Sequence, residues 1–213
     1  LMSRFASPLD YAVMMRGGDF YMDLILEPRL AAQFMEIIAD VTISTIKIFK
    51  KELSEPLCEQ TTIRGFHFPG IRLTGDAVVN LSPDLIRKFM FPIYDKFARE
   101  LGEVMLHYCT SPAPSGHVIP VLIESGSVRC VDNWHGYRSF FGPDKKGYLQ
   151  TKISFCTDLE PASITPPQKL LFGDDEFFTS VPRKGGRGIA ATVTVSDIEE
   201  GRELYSRWLE VQK

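Results

Sequence analysis

The sequence has no long apolar run, no clustered positive charge and no leader-like start. No stretch approaches the roughly 20 consecutive apolar residues of a membrane-spanning helix, and the first residues carry too little apolar sequence for a signal peptide. With a net charge of -3 at pH 7, the chain lacks the positive charge that neutralises phosphates in non-specific nucleic-acid binding. These absences predict a cytoplasmic protein that binds neither membrane nor nucleic acid.

Cysteine is scarce, and the familiar nucleotide-binding motifs are missing. The four cysteines are widely spaced, with no C-x-x-C pair, so they predict neither a disulfide scaffold nor a zinc finger: Cys58, Cys109, Cys130 and Cys156. Neither G-x-G-x-x-G nor G-x-x-x-x-G-K-[ST] occurs, which argues against a dinucleotide site or a P-loop.

Helices and short apolar strands alternate along the chain. Pro28 begins a long predicted helix, and its apolar residues recur near the helical period: Leu30, Phe34, Ile37, Ile38, Val41 and Ile48. Ser82 and Pro83 begin a later helix that Pro92 is expected to kink, and a Ser-x-x-Glu capping box at Ser196 begins the last helix. This order predicts an α/β fold with a parallel sheet and crossover helices.

Polar side chains accumulate where the predicted strands end. Strands are predicted over residues 70–76, 104–109, 128–132, 152–156 and 189–195. The first four end at or beside residues with polar or thiol side chains: Asp76, His107 with Cys109, Asp132, and Cys156. Because the carboxyl ends of parallel strands meet at one edge of a sheet, we expect a site there.

The H-x-C pair at the end of the second strand indicates metal chemistry. Alternate strand residues face the same way, so His107 and Cys109 are expected on one face, and zinc accepts an imidazole nitrogen together with a thiolate sulfur. A third ligand would come from a neighbouring strand, with Cys156, Cys130 and Asp76 as candidates. Cys130 is expected to lie in the core instead.

The order of these motifs resembles the uroporphyrinogen decarboxylase superfamily. The resemblance is carried by GDAVVNLSPD at residues 75–84, FMFPIY at residues 89–94 and LHYC at residues 106–109, and it covers most of residues 8–135. That family has a (β/α)8 barrel of about 250 residues. The resemblance therefore implies that residues 1–213 form a single domain, the C-terminal part of such a barrel without its N-terminal strands.

The resemblance also implies a chemistry. One branch of the family transfers a methyl group between a corrinoid and a thiol with the help of zinc, and it implies zinc ligands at His107 and Cys109. The family's second, much later cysteine has no match in this sequence, so either Cys156 or a carboxylate is expected to take its place as the third ligand, or the site is incomplete. Asp76 and Asp132 are then expected to be catalytic, to orient substrate or, for Asp132, to orient His107. The implied partners are a small-molecule thiol, a corrinoid or tetrapyrrole as methyl donor or substrate, and a corrinoid protein.

Two alternatives stay open. The first is cofactor-free uroporphyrinogen decarboxylation in porphyrin biosynthesis. Two positions depart from that branch, because the resemblance implies a serine where this sequence has Asp76 and a histidine where it has Arg187. The second is a non-catalytic relative that acts by binding. In each case the unpaired sheet edges of a partial barrel predict association into a homo-oligomer.

Overall fold

The structure is a computed structural model that describes residues 5–61, 67–110, 115–133, 154–158, 189–192 and 195–211. The chain divides into two compact units, Leu1–Asp132 and Asn133–Lys213. Within the described ranges, no helix has the length and apolar character needed to cross a membrane. The assignment of the whole chain to a single domain stays a prediction.

The first unit begins with a short strand followed by three helices. Strand β1 (Phe5–Ala6) leads into α1 (Pro8–Arg16), α2 (Asp19–Leu26) and α3 (Pro28–Glu52). Proline is the first residue of both α1 and α3, where its missing N–H would have had no partner in the helix. The predicted start of the long helix at Pro28 is confirmed. Strand β1 was not predicted, because two residues carry no periodicity.

Helix α3 packs with only one of its faces. The buried residues of this face are Ala31, Met35, Ile38, Ala39, Thr42, Ile43, Ile46 and Lys50. Of the apolar residues whose spacing predicted the helix, Ile38 belongs to this face, whereas four are more than half exposed: Leu30, Ile37, Val41 and Ile48. The helix therefore has a second apolar stripe that faces away from the core.

A parallel sheet follows the helices. Strands β2 (Gln60–Thr61) and β3 (His67–Phe68) form a separate antiparallel pair where the sequence predicted a loop. Strands β4 (Gly70–Thr74), β5 (Glu103–His107) and β6 (Val128–Asn133) are parallel to one another and to β1, in the order β1-β4-β5-β6. The expected α/β fold with a parallel sheet is confirmed.

Both strands end at the edge where the candidate site lies, β4 at the predicted Gly-Asp turn and β5 earlier than predicted. Strand β4 ends at Thr74, and Asp76 begins a 3₁₀ helix (Asp76–Asn80). Strand β5 ends at His107, so Cys109 lies in the loop beyond it and the prediction of a strand through Cys109 is wrong. The backbone N–H of Gly75 donates to the His107 carbonyl at 2.7 Å, and this hydrogen bond joins the ends of β4 and β5.

The segment after the 3₁₀ helix is one irregular helix that packs on the sheet. Helix α4 (Pro83–Leu85) continues through a π-helical turn (Ile86–Met90) into α5 (Phe91–Leu101), and α5 contacts β4 and β5. Ser82 caps the start as predicted, accepting from the Leu85 N–H at 3.4 Å. The widened turn stands just before Pro92, because proline lacks an N–H and its ring clashes with the carbonyl four residues earlier.

The remaining described elements follow the predicted order of helix, strand, strand and helix. Helix α6 (Val118–Leu122) occupies the middle of the helix predicted over residues 115–124. In the second unit, β7 (Ser154–Asp158) pairs in parallel with β8 (Ile189–Thr192), and α7 (Ile198–Val211) follows.

The cap of α7 lies one residue later than predicted. Asp197 Oδ1 accepts from the Glu200 N–H at 2.9 Å, and Glu200 Oε2 accepts from the Ser196 N–H at 2.7 Å. The predicted Ser196–Glu199 box is therefore wrong. Aspartate caps a helix as well as serine does, and here it occupies the residue directly before the first helical turn.

Candidate metal centre

The register of the parallel sheet places His107 beside Asp132. The two residues are direct partners across β5 and β6, at the carboxyl ends of both strands. Both side chains are buried, and His107 Nδ1 donates to Asp132 Oδ2 at 3.0 Å. This hydrogen bond assigns the ring proton to Nδ1, so the lone pair of the imidazole lies on Nε2.

The lone pair of His107 points at Cys109. Nε2 and the Cys109 Sγ are 2.7 Å apart, and the thiol donates to the ring because the other nitrogen carries the proton. Strand β5 ends at His107, and the side chain of Cys109, two residues further in the loop, lies on the same side as the His107 ring. The predicted common face of the H-x-C pair is thus achieved by the loop after the strand.

Asp76 completes the cluster from the neighbouring strand end. Its Oδ1 accepts from the Cys109 backbone N–H at 2.8 Å, which ties the loop after β5 to the turn after β4. One ligand atom from each of Asp76, His107 and Cys109 lies within 4.8 Å of the others. The structure thus brings together three residues that the sequence singled out.

Arg72 supports the cluster from inside the sheet, and the sequence analysis missed it. Its Nε and Nη2 both donate to Asp132 Oδ2, at 2.9 Å and 2.8 Å, and both side chains are 2% exposed. Arg72 precedes Thr74 by two residues and so shares its face of β4, while Thr74 is the register partner of His107. An arginine inside the apolar pattern G-I-R-L-T was the available signal.

A third carboxylate, Asp10, holds the turn that carries Asp76. Asp10 Oδ1 accepts from the Ala77 N–H at 3.1 Å, and the Ser7 hydroxyl donates to its other oxygen. Burial raises the pKa of Asp10, and the nearby charge of Asp76 raises it further, while the hydrogen bonds from Ser7 and Ala77 oppose the shift. The Ser-x-x-Asp spacing at the start of α1 was the overlooked signal.

The electrostatics of the cluster keep Cys109 protonated when no cation is present. Part of the residue is open to solvent, but its sulfur lies against the buried ring of His107. Burial raises the pKa of the Cys109 thiol to about 11, with Asp76 and then Asp132 adding to the rise and Arg72 opposing it. A cation at this point would reverse the balance and favour the thiolate.

The donor set fits a divalent ion of intermediate softness. An imidazole nitrogen, a thiolate sulfur and a carboxylate oxygen are all zinc ligands, at bond lengths of about 2.0–2.3 Å. Asp76 and the Cys109 thiolate together bring two negative charges, while Arg72 and Asp132 neutralise each other beneath them. A divalent ion would therefore leave the centre without net charge and with an open position for a further ligand.

The other two cysteine candidates lie on strands β6 and β7. Cys130 is buried on β6, as expected for a core residue. Cys156 lies on β7 in the second unit, and its assignment as a zinc ligand stays a prediction.

Comparison with known proteins adds no assignment. None of the protein-family models, curated proteins or solved structures compared with this chain matches it.

Proposed function

We propose that this protein binds zinc through His107, Cys109 and Asp76 and transfers a methyl group between a corrinoid and a thiol. The observation that carries the proposal is the convergence of an imidazole nitrogen, a thiol sulfur and a carboxylate oxygen within 4.8 Å. That convergence lies at the carboxyl ends of adjacent parallel strands, where α/β proteins concentrate their active sites.

The residues of the chain have separate tasks in this proposal. His107 Nε2 and Cys109 Sγ are the fixed ligands, because Asp132 and Arg72 hold the imidazole and because Asp76 holds the backbone of Cys109. Asp76 is the third ligand in the first unit, and Cys156 is the alternative from the second. A bound zinc ion supplies Lewis acidity that keeps a coordinated substrate thiol in its thiolate form near neutral pH.

The proposal extends to the fold and the compartment. The parallel strands and the helices between them are consistent with part of a (β/α)8 barrel, in which the centre would lie at the active-site end. Cys109 has to stay reduced in order to bind a metal, and cytoplasm is the compartment that keeps thiols reduced. We therefore propose a cytoplasmic enzyme of the uroporphyrinogen decarboxylase superfamily.

Zinc content is the first test. Protein purified without chelator should contain about one zinc per chain by elemental mass spectrometry, since one complete site is proposed. Cys109→Ser should lose the metal, whereas Cys58→Ser should keep it, because Cys58 is an exposed cysteine outside the cluster. Cys156→Ser decides between the two third ligands: loss of zinc assigns Cys156, and retention assigns Asp76.

Methyl transfer is the second test. Zinc-loaded protein should accelerate demethylation of methylcobalamin by a small thiol, and Cys109→Ser should abolish the acceleration. Wild-type protein without zinc, or methyl transfer that survives Cys109→Ser, would contradict the proposal. In the absence of zinc, binding of a tetrapyrrole would favour the decarboxylase alternative.

A further inference from the structure

The exposed stripe of α3 consists of side chains that a folded chain rarely leaves in water. Leu30, Ile37, Val41 and Ile48 are 55%, 62%, 61% and 61% exposed. They are separated by 7, 4 and 7 residues, and at about 100° per residue they lie within roughly 40° of one another around the helix. The stripe is about 27 Å long, and apolar patches of this extent mark interaction surfaces.

The four residues of the stripe are spaced symmetrically about position 39 of the helix. Leu30 and Ile48 are equidistant from position 39, and so are Ile37 and Val41. If a second α3 lies antiparallel against the first, Leu30 faces Ile48 of the second copy and Ile37 faces Val41 of the second copy. A two-fold axis through position 39 then repeats every contact, as a self-complementary interface requires.

The charges at the two ends of α3 have the same symmetry and opposite sign. Glu27, directly before the helix, and Lys51, in its last turn, are also equidistant from position 39, and both are exposed. An antiparallel pair brings Glu27 of each copy to Lys51 of the other. A parallel pair would instead bring Glu27 to Glu27 and Lys51 to Lys51, which repel each other.

An apolar cleft extends this surface at the N-terminal end of the stripe. Leu30 lines it together with Met15, Phe20 and Phe34, and the cleft has a volume of about 390 Å³. In the antiparallel arrangement, the Ile48 end of the second copy arrives at this cleft. Ile25 and Leu26, at the end of α2 shortly before α3 begins, are exposed as well.

We propose that two copies of this chain associate through antiparallel packing of α3 on α3. The arrangement covers the stripe, seats the end of one helix at the cleft of the other copy and pairs Glu27 with Lys51 twice. It makes no use of the metal centre, so it stands or falls independently of the proposed activity.

Sedimentation equilibrium of the full chain over about 1–100 µM, a range that covers micromolar affinities, tests the proposal. Wild-type protein should have twice the monomer mass of 24.1 kDa. Ile37→Glu should give a monomer, because it places a carboxylate in the middle of the apolar contact. Met14→Glu is the matched control: Met14 is 76% exposed on α1, outside the stripe, and its substitution should leave the dimer intact.

Charge exchange separates a second copy from any other occupant of the stripe. Glu27→Lys alone should weaken the dimer about tenfold, since two attractive contacts become repulsive. Adding Lys51→Glu in the same chain should restore wild-type affinity, because the reversed pair meets again across the two-fold axis. A monomeric wild type, a dimer that survives Ile37→Glu, or failure of the double exchange to restore affinity would each overturn the proposal.

Discussion

Replacing Arg72 with methionine tests how the sheet holds His107. The substitution keeps a long, flexible side chain in β4 and removes the guanidinium that donates twice to Asp132, at 2.8 Å and 2.9 Å. Asp132 then remains buried beside His107 without the cation that compensates its charge. We expect the substitution to lower the stability of the protein and to leave the imidazole of His107 less firmly oriented.

The size of the effect follows from burial. Removing one partner of a buried ion pair costs about 3–5 kcal/mol, because the remaining charge loses its compensation. For a protein of this length that loss corresponds to a fall in Tm of roughly 10 °C. Zinc affinity should fall by about 10- to 100-fold, the range typical when a group that orients a metal ligand is removed.

Thermal and urea unfolding of zinc-free protein measure the stability change, and competition with a chelator measures zinc affinity. Arg87→Met is the matched control, because Arg87 also forms an ion pair, at 2.7 Å to Glu124, but on the exposed surface. Water and salt screen that pair, so its removal should leave Tm unchanged within experimental error.

A double substitution separates charge from packing. Combining Arg72→Met with Asp132→Asn removes both charges, so the combined variant should be more stable than Arg72→Met alone. Equal losses for Arg72→Met and Arg87→Met would refute the assignment of a buried, energetically important pair. An additive double variant would show that Arg72 contributes through packing and not through Asp132.

Three further predictions concern the thiol, a turn and a buried lysine. In zinc-free protein, the rate at which iodoacetamide alkylates Cys109 should rise about tenfold per pH unit from pH 8 to 10, because a thiol with a pKa of about 11 is only fractionally ionised below that value. Asp76→Asn should raise the rate at pH 8, measured by mass spectrometry, since the charge of Asp76 raises the pKa of the thiol; an unchanged rate would contradict this. Gly102→Ala should cost about 1–3 kcal/mol of unfolding free energy, because Gly102 has a φ of +86° and a Cβ there would lie 2.8 Å from a backbone carbonyl, whereas Gly126→Ala, with open space around it, should be neutral. Lys50→Met should cost about 3 kcal/mol in urea unfolding, since the buried ammonium donates to two carbonyls of the loop after α3; a variant as stable as wild type would show that water satisfies those carbonyls.

The sequence anticipated the elements whose signals are local. Proline and serine begin helices because of their own backbone geometry and hydrogen bonding, so Pro28 and Ser82 could be recognised without any tertiary contact. The ends of the strands were predicted less accurately than the starts of the helices: β5 ends at His107 instead of continuing to Cys109. The hydrogen bond from Gly75 that joins the ends of β4 and β5 is a tertiary interaction, and no local sequence pattern predicts it.

The candidate site was predicted in its residue types and only partly in its arrangement. H-x-C after an apolar strand singled out His107 and Cys109, and strand order singled out Asp76 and Asp132. Arg72 was missed because its partner Asp132 lies 60 residues further along the chain. A buried charge in a strand pattern indicates that a partner exists, but only packing reveals which residue it is.

By itself, the sequence determined the α/β class, the helix starts and the residue types at the strand ends, because these depend on neighbours within a few positions. The tertiary structure decided that Asp76 contacts Cys109 across 33 residues and that Arg72 and His107 meet at one carboxylate. It also decided which apolar face of α3 is buried. Periodicity states which side chains share a face of a helix, but the choice between two apolar faces belongs to the elements that pack against one of them.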